Sequence, residues 1–168
     1  MKKILHTACL GACLGACLLT LSACGFHLRG TTTIPPALQS IALSSTNGNT
    51  DILSQLQRTL EAGNVTLLDA PGANGFELVV GAETVTERVL SVNSNARAGE
   101  FELSMTLPFQ LRRGGAAVVG PEELAIEKVY LADPNNAVAK AEERELMEEE
   151  MRLELVTLIL RRLQSAPL

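Results

Sequence analysis

Glu100-Phe101-Glu102-Leu103-Ser104-Met105-Thr106-Leu107-Pro108-Phe109-Gln110-Leu111-Arg112 alternates polar and apolar residues without a miss. Successive side chains of an extended chain point to opposite faces. The stretch therefore reads as a strand with one buried and one wet face, as in an antiparallel sheet. Pro108 has no N–H to give to a ladder, so an edge or a bulge is expected there. Arg112-Arg113-Gly114-Gly115 follows as a hairpin turn. The return strand runs from Ala116 to Leu131, interrupted near Gly120-Pro121.

Upstream, Phe76 to Arg88 predicts a partner strand. Phe76, Leu78, Val80 and Ala82 take one face, and Glu77, Glu83 and Glu87 the other. Ser91 to Gly99 is polar, holds Asn93, Asn95 and Arg97, and forms the tip between the two strands. Before it lie a Pro/Gly loop, Ala70 to Gly75, and a short strand, Val65 to Leu68. Ile52, Leu56 and Leu60 recur every four residues with Leu53 beside them, which predicts a helix opened by Asn49 or Thr50 and closed at Gly63. Ser40 to Leu43 is a weak strand, Thr31 to Pro36 a stiff connector, and Phe26 to Gly30 a short first strand.

Downstream, Asp133-Pro134-Asn135-Asn136 caps a long helix over Ala137 to Leu163. Met147, Met151, Leu155, Leu158, Ile159 and Leu163 supply its core face. Glu142, Glu143, Arg144 and Glu148-Glu149-Glu150 are expected in water, with Glu148 and Arg152 as an i, i+4 pair. The order of elements predicts an α+β fold. It is a two-layer sandwich, with two amphipathic helices packed on one face of a four- to five-stranded, mostly antiparallel sheet.

The N-terminal segment has a separate purpose. Met1-Lys2-Lys3 is cationic, and Ile4 to Leu21 is apolar but broken by glycines and too short for a confident span. Leu21-Ser22-Ala23-Cys24 reads as a bacterial lipobox, in which small Ala23 lets a peptidase cut before Cys24. Residues 1–23 are thus expected to be a cleaved lipoprotein signal peptide, and 24–168 a single domain. Cys9, Cys13 and Cys17 are fillers of the removed segment rather than a metal face, which leaves Cys24 as the only thiol and excludes a disulfide framework. Its expected fate is acylation, as an S-diacylglycerol and N-acyl cysteine, since several chains together anchor stably.

Charge and chemistry narrow the function. The chain carries 14 basic and 19 acidic residues, net −5, and loss of Lys2 and Lys3 with the signal takes this to −7. That argues against a nucleic-acid partner. After Cys24 the only histidine is His27, so a metal site and a histidine-based triad are poorly supported, and no Gly-rich phosphate cradle is present. No catalytic residue, metal or cofactor is expected. Binding or assembly is favoured over catalysis. Arg97 at the hairpin tip, Arg112-Arg113 at the next turn and Lys140 near the start of the last helix are cations that a phosphate could use.

The lipobox running straight into Gly25-Phe26-His27-Leu28-Arg29-Gly30 resembles the outer-membrane lipopolysaccharide-assembly lipoprotein family LptE. Asp133-Pro134-Asn135-Asn136-Ala137-Val138-Ala139-Lys140 and the acidic helix after it resemble the entry to that family's second helix. The resemblance implies a non-enzymatic plug inside the large LptD β-barrel, which helps that barrel fold and binds lipopolysaccharide on its way to the outer leaflet. It implies an outer-membrane location, with which Gly25 after the acylated cysteine agrees. Basic residues near the 90s hairpin and at the start of the second helix are implied to bind lipopolysaccharide. Lys140 stands in the matching motif, and Arg97 is a nearby cation. The C-terminal extension of some relatives has no counterpart, so no role for such a tail is carried over. Two alternatives differ in kind: a lipoprotein scaffold subunit of another envelope assembly machine, and a lipid-anchored hydrolase.

Overall fold

The computed structural model describes residues 34–48, 50–92, 98–131 and 136–168. The expected strand Phe26 to Gly30, the lipobox, Asn49, the tip residues 93–97 and the cap residues 133–135 lie outside them. Thr32–Leu168 forms one compact unit.

Six strands and two α-helices follow one another: β1 (Ser40–Ser45), α1 (Thr50–Ala62), β2 (Thr66–Leu68), β3 (Phe76–Val80), β4 (Thr84–Val92), β5 (Ala98–Arg113), β6 (Ala116–Leu131) and α2 (Ala137–Gln164). β5 is the axis of the sheet. One of its edges carries β6 along nearly its whole length. The other carries β3 beside residues 109–113 and β4 beside 98–106, both antiparallel. β1 then pairs with β3 and β2 with β1, both in parallel. The sheet is therefore mixed, because β1 and β2 are joined through α1, a crossover that returns the chain in the same direction. Both helices lie on one face, α1 over β1 and β2, α2 over β5 and β6, as the two-layer α+β reading expects.

The core sits between these layers. Ile52, Leu56 and Leu60 of α1, Leu78 and Val80 of β3, the alternating Leu103 to Leu111 of β5, and Met151, Leu155, Ile159 and Leu163 of α2 are all buried. Val156 and Leu160 join them, so the buried stripe of α2 is wider than its strongest periodicity suggests. From Val138 to Glu150, the described part of the first half of α2, no residue is fully buried.

Local chemistry explains the ends. α1 stops in a Schellman arrangement: Asn64 N–H donates to Glu61 at 2.9 Å and Val65 N–H to Leu60 at 3.0 Å. The left-handed residue is Asn64, at φ 61°, rather than the expected Gly63. At the β5–β6 turn Gly114 and Gly115 both have positive φ, 54° and 84°, as a two-residue hairpin requires.

Pro108 meets the bulge that was expected of it, but not at an edge. It lies in the central strand, and it is the neighbouring strand that accommodates it. In an antiparallel ladder a residue's N–H and C=O point to the same side. Pro108 accepts from Gly81 N–H at 2.7 Å, so its missing donor also faces the break between β3 and β4. A Cβ on Gly81 would lie 2.5 Å from Pro108 Cγ, so only glycine fits. Val80 pairs with Phe109 and Val85 with Met105, which places one more residue on this strand than on β5. That bulge inverts the alternation. Before it, Phe76, Leu78 and Val80 face the helices; after it, Val85, Glu87 and Val89 do. The long strand expected from Phe76 to Arg88 is thus two strands of opposite phase. Glu83 and Glu87, expected on the wet face, turn toward α2.

Candidate functional site

Of the residues singled out for lipid or lipopolysaccharide, Cys24 and Arg97 lie outside the described residues. Lys140 does not. Asn136 caps α2 by accepting from Ala139 N–H at 3.1 Å, and this fixes the first turn so that Lys140 leans over the hairpin end of the sheet. Its Nζ donates to Glu87 Oε1 at 2.7 Å and sits 3.5 Å from the centroid of the Phe101 ring.

Three strands build the floor under this lysine. Leu103 pairs with Glu87 on one side, and Phe101 with Tyr130 on the other. The rings of Phe101 and Tyr130 stack with centroids 5.5 Å apart and planes 23° apart. Tyr130 is buried, and its hydroxyl donates to Glu87 Oε2 at 2.6 Å. Glu87 is thus held at both oxygens. Partial burial pushes its carboxyl up, but the hydrogen bonds from Lys140 and Tyr130 outweigh this and hold it below the ordinary carboxylate value. Burial, and then the bond to Glu87, push the Tyr130 hydroxyl well above its ordinary range, so it is a fixed donor.

A cleft of about 400 Å³ opens beside this cluster, lined by Glu87, Lys140, Ala141, Arg144, Glu145 and Glu148. Arg144 stands one turn on from Lys140 and donates to Glu148 at 2.8 Å. Glu148 in turn accepts from Arg152 at 3.3 Å, and Arg152 reaches Glu83. Arg144 and Glu148, expected in water, belong to this partly buried chain of charges instead. Glu150, two residues on, turns to Lys128 at 3.0 Å, so the acidic run is not one carboxylate site.

Arg112 and Arg113 belong elsewhere. They end the opposite pole of β5, about 40 Å from Phe101 at the rise of an extended strand, and Arg113 stacks on Phe76 at 5.1 Å. Exposed Val89, Leu90, Val92, Val129, Leu131 and Val138 surround the Lys140 end. The partners of Lys140 were not visible as such in the sequence. Counting from Phe76 puts Glu87 on the wet face, and only the extra residue between Val80 and Val85 brings it under Lys140.

Residues 38–163 match the profile of a family described as LptE, lipopolysaccharide-assembly. The chain belongs to the LptE family. The LPS-assembly lipoprotein LptE of Yersinia enterocolitica is 28% identical over 147 residues, 87% of this chain and 70% of that one. That of Pectobacterium atrosepticum is 26% identical over 164 residues, 97% and 86%. Among solved structures, rare lipoprotein B from Shewanella oneidensis superposes with a TM-score of 0.69 at 28% identity, covering 75% of this chain and 94% of that one. Lipoprotein B from Nitrosomonas europaea shares the fold, with a TM-score of 0.70 at 23% identity over 84% and 91%. LptE membership puts the chain among the lipoproteins of lipopolysaccharide assembly. No helix among the described residues is long and apolar enough to cross a membrane.

Proposed function

We propose that this LptE-family chain is a non-enzymatic, lipid-anchored subunit of the outer membrane. It would sit in an LptD-like barrel, assist that barrel's assembly, and bind lipopolysaccharide during delivery to the outer leaflet. The observation that carries the binding role is the placement of Lys140. It stands at the rim of an open cleft on a rigid aromatic floor, where a phosphate can reach its ammonium and nearby aliphatic side chains can meet acyl chains. Anchoring rests on Cys24: residues 1–23 are removed, and diacylglycerol and an N-acyl chain are added. The net negative charge speaks against a nucleic-acid partner.

Affinity capture of the native protein from outer membranes tests the assembly role. A large barrel protein is expected to come with it. Recovery of soluble periplasmic proteins without a barrel would support the scaffold alternative instead. For the binding role, Lys140→Gln is expected to weaken lipopolysaccharide binding about tenfold, the loss of one charge-assisted contact. An unchanged affinity at matched salt removes Lys140 from the site.

A further inference from the structure

Lys140 is already occupied. Its ammonium meets a carboxylate at 2.7 Å, the distance of a charge-assisted hydrogen bond, and the pair together carries no net charge. An approaching phosphate therefore meets a neutral pair rather than a cation. Part of the pair can move. Lys140 is a flexible four-carbon chain on the first turn of α2, where Val138 and Ala139 are exposed. Glu87 is on a sheet strand, and its second oxygen is held by Tyr130, which is buried and stacked on Phe101. When Lys140 leaves, Glu87 keeps a hydrogen bond and stays where it is.

We propose that Glu87 is an internal stand-in for the ligand's phosphate, a carboxylate latch that holds Lys140 on the Phe101 ring until a phosphate displaces it. This rests on the reading that Lys140 binds lipopolysaccharide, and it names the residue that sets the threshold for that binding. A monoanionic or neutral headgroup gains little by exchanging with Glu87. A phosphate, with more charge and more acceptor oxygens, gains enough to open the pair. Arg144 is placed to take a second oxygen, because it lines the same cleft one turn away. Glu145 also lines it and has no such grip on Lys140, so it serves as a control for general charge.

The test is binding of purified lipopolysaccharide micelles at matched ionic strength to the full chain and four variants: Glu87→Gln, Lys140→Gln, the double variant, and Glu145→Gln. The same lipopolysaccharide stripped of its phosphates is the control ligand. Glu87→Gln keeps an oxygen for Tyr130, and it is expected to tighten binding about fivefold, as release from an internal competitor should. That gain is expected to vanish in the Lys140→Gln background and with the dephosphorylated ligand. If Glu87→Gln does not fold, Glu87→Asp, with its shorter reach, is expected to give a smaller gain of the same sign. Weakening by Lys140→Gln with no gain from Glu87→Gln overturns the latch and leaves the binding site standing. A gain that persists without Lys140, or that Glu145→Gln equals, shows a field effect and also overturns it. No effect of Lys140→Gln removes the binding reading and the latch together.

Discussion

Glu83, in the break between β3 and β4, receives the guanidinium of Arg152 from α2 at two points, with nitrogen–oxygen distances of 2.9 to 3.0 Å. The Glu83 side chain is only 6% exposed. Glu83 raises the pKa of Arg152 against the burial that would lower it. Truncating one partner leaves the other half-desolvated. Glu83→Ala is expected to destabilise the fold by about 2 kcal/mol, below the full cost of a buried pair because Arg152 keeps some water and Glu148. Urea denaturation measures it, and a change under about 0.5 kcal/mol would show that the pair is ornamental.

Gly81 and Pro108 form the next test. A side chain at Gly81 meets Pro108 Cγ at 2.5 Å and Pro108 O at 3.2 Å. Gly81→Ala is expected to cost about 2 kcal/mol, as overpacking does. Adding Pro108→Ala should recover part of it, because the nearest atom is gone while the carbonyl remains. Denaturant midpoints of the two single variants and the double decide the point. Strict additivity would refute direct contact.

Two leucines on α2 separate core from surface. Leu155 is fully buried and Leu153 is 44% exposed. Leu155→Ala is expected to cost about 3 kcal/mol and Leu153→Ala about 0.5 kcal/mol or less. Thermal and urea unfolding of both variants checks the burial pattern. Equal effects would place the helix in a different rotation.

Acid stability follows from Glu87. Its carboxyl lies below the ordinary 4.5 in the folded chain. A lowered carboxylate stabilises the fold in full above 4.5, and that stabilisation is lost as pH falls through the folded value. The gap in melting temperature between the unaltered chain and Glu87→Gln is expected to be widest near neutral pH and to close below 4.5. Glu102, paired with Arg88, is lowered too, but it is present in both proteins and cancels. A gap that stays constant with pH would show that Glu87 has no linkage to folding.

Much of this was legible in the residues, for physical reasons. Periods of two and of near four are direct records of which side is buried, so β5, α1 and the last half of α2 read cleanly. The parallel pairing of β1 and β2 left no trace, because short strands of three to six residues carry too little pattern to show direction. The charge cluster was hidden for another reason. Glu87 reads as a wet-face residue by counting from Phe76, and the count is correct only for a strand of constant phase. Lys140 was legible as a cation in a motif, whereas its partners depended on tertiary packing that no local pattern encodes.

The single extra residue in 81–83 gives segment length an unusual leverage. Everything from Val85 to Val89 is displayed in phase with that one insertion, while β3 and the core beneath it are not. Deleting it would leave the composition almost untouched and rotate the hairpin arm by half a turn. Arg88 would face α2 and Glu87 the open side. Residue count there, more than residue type, decides whether Lys140 meets a carboxylate or a guanidinium.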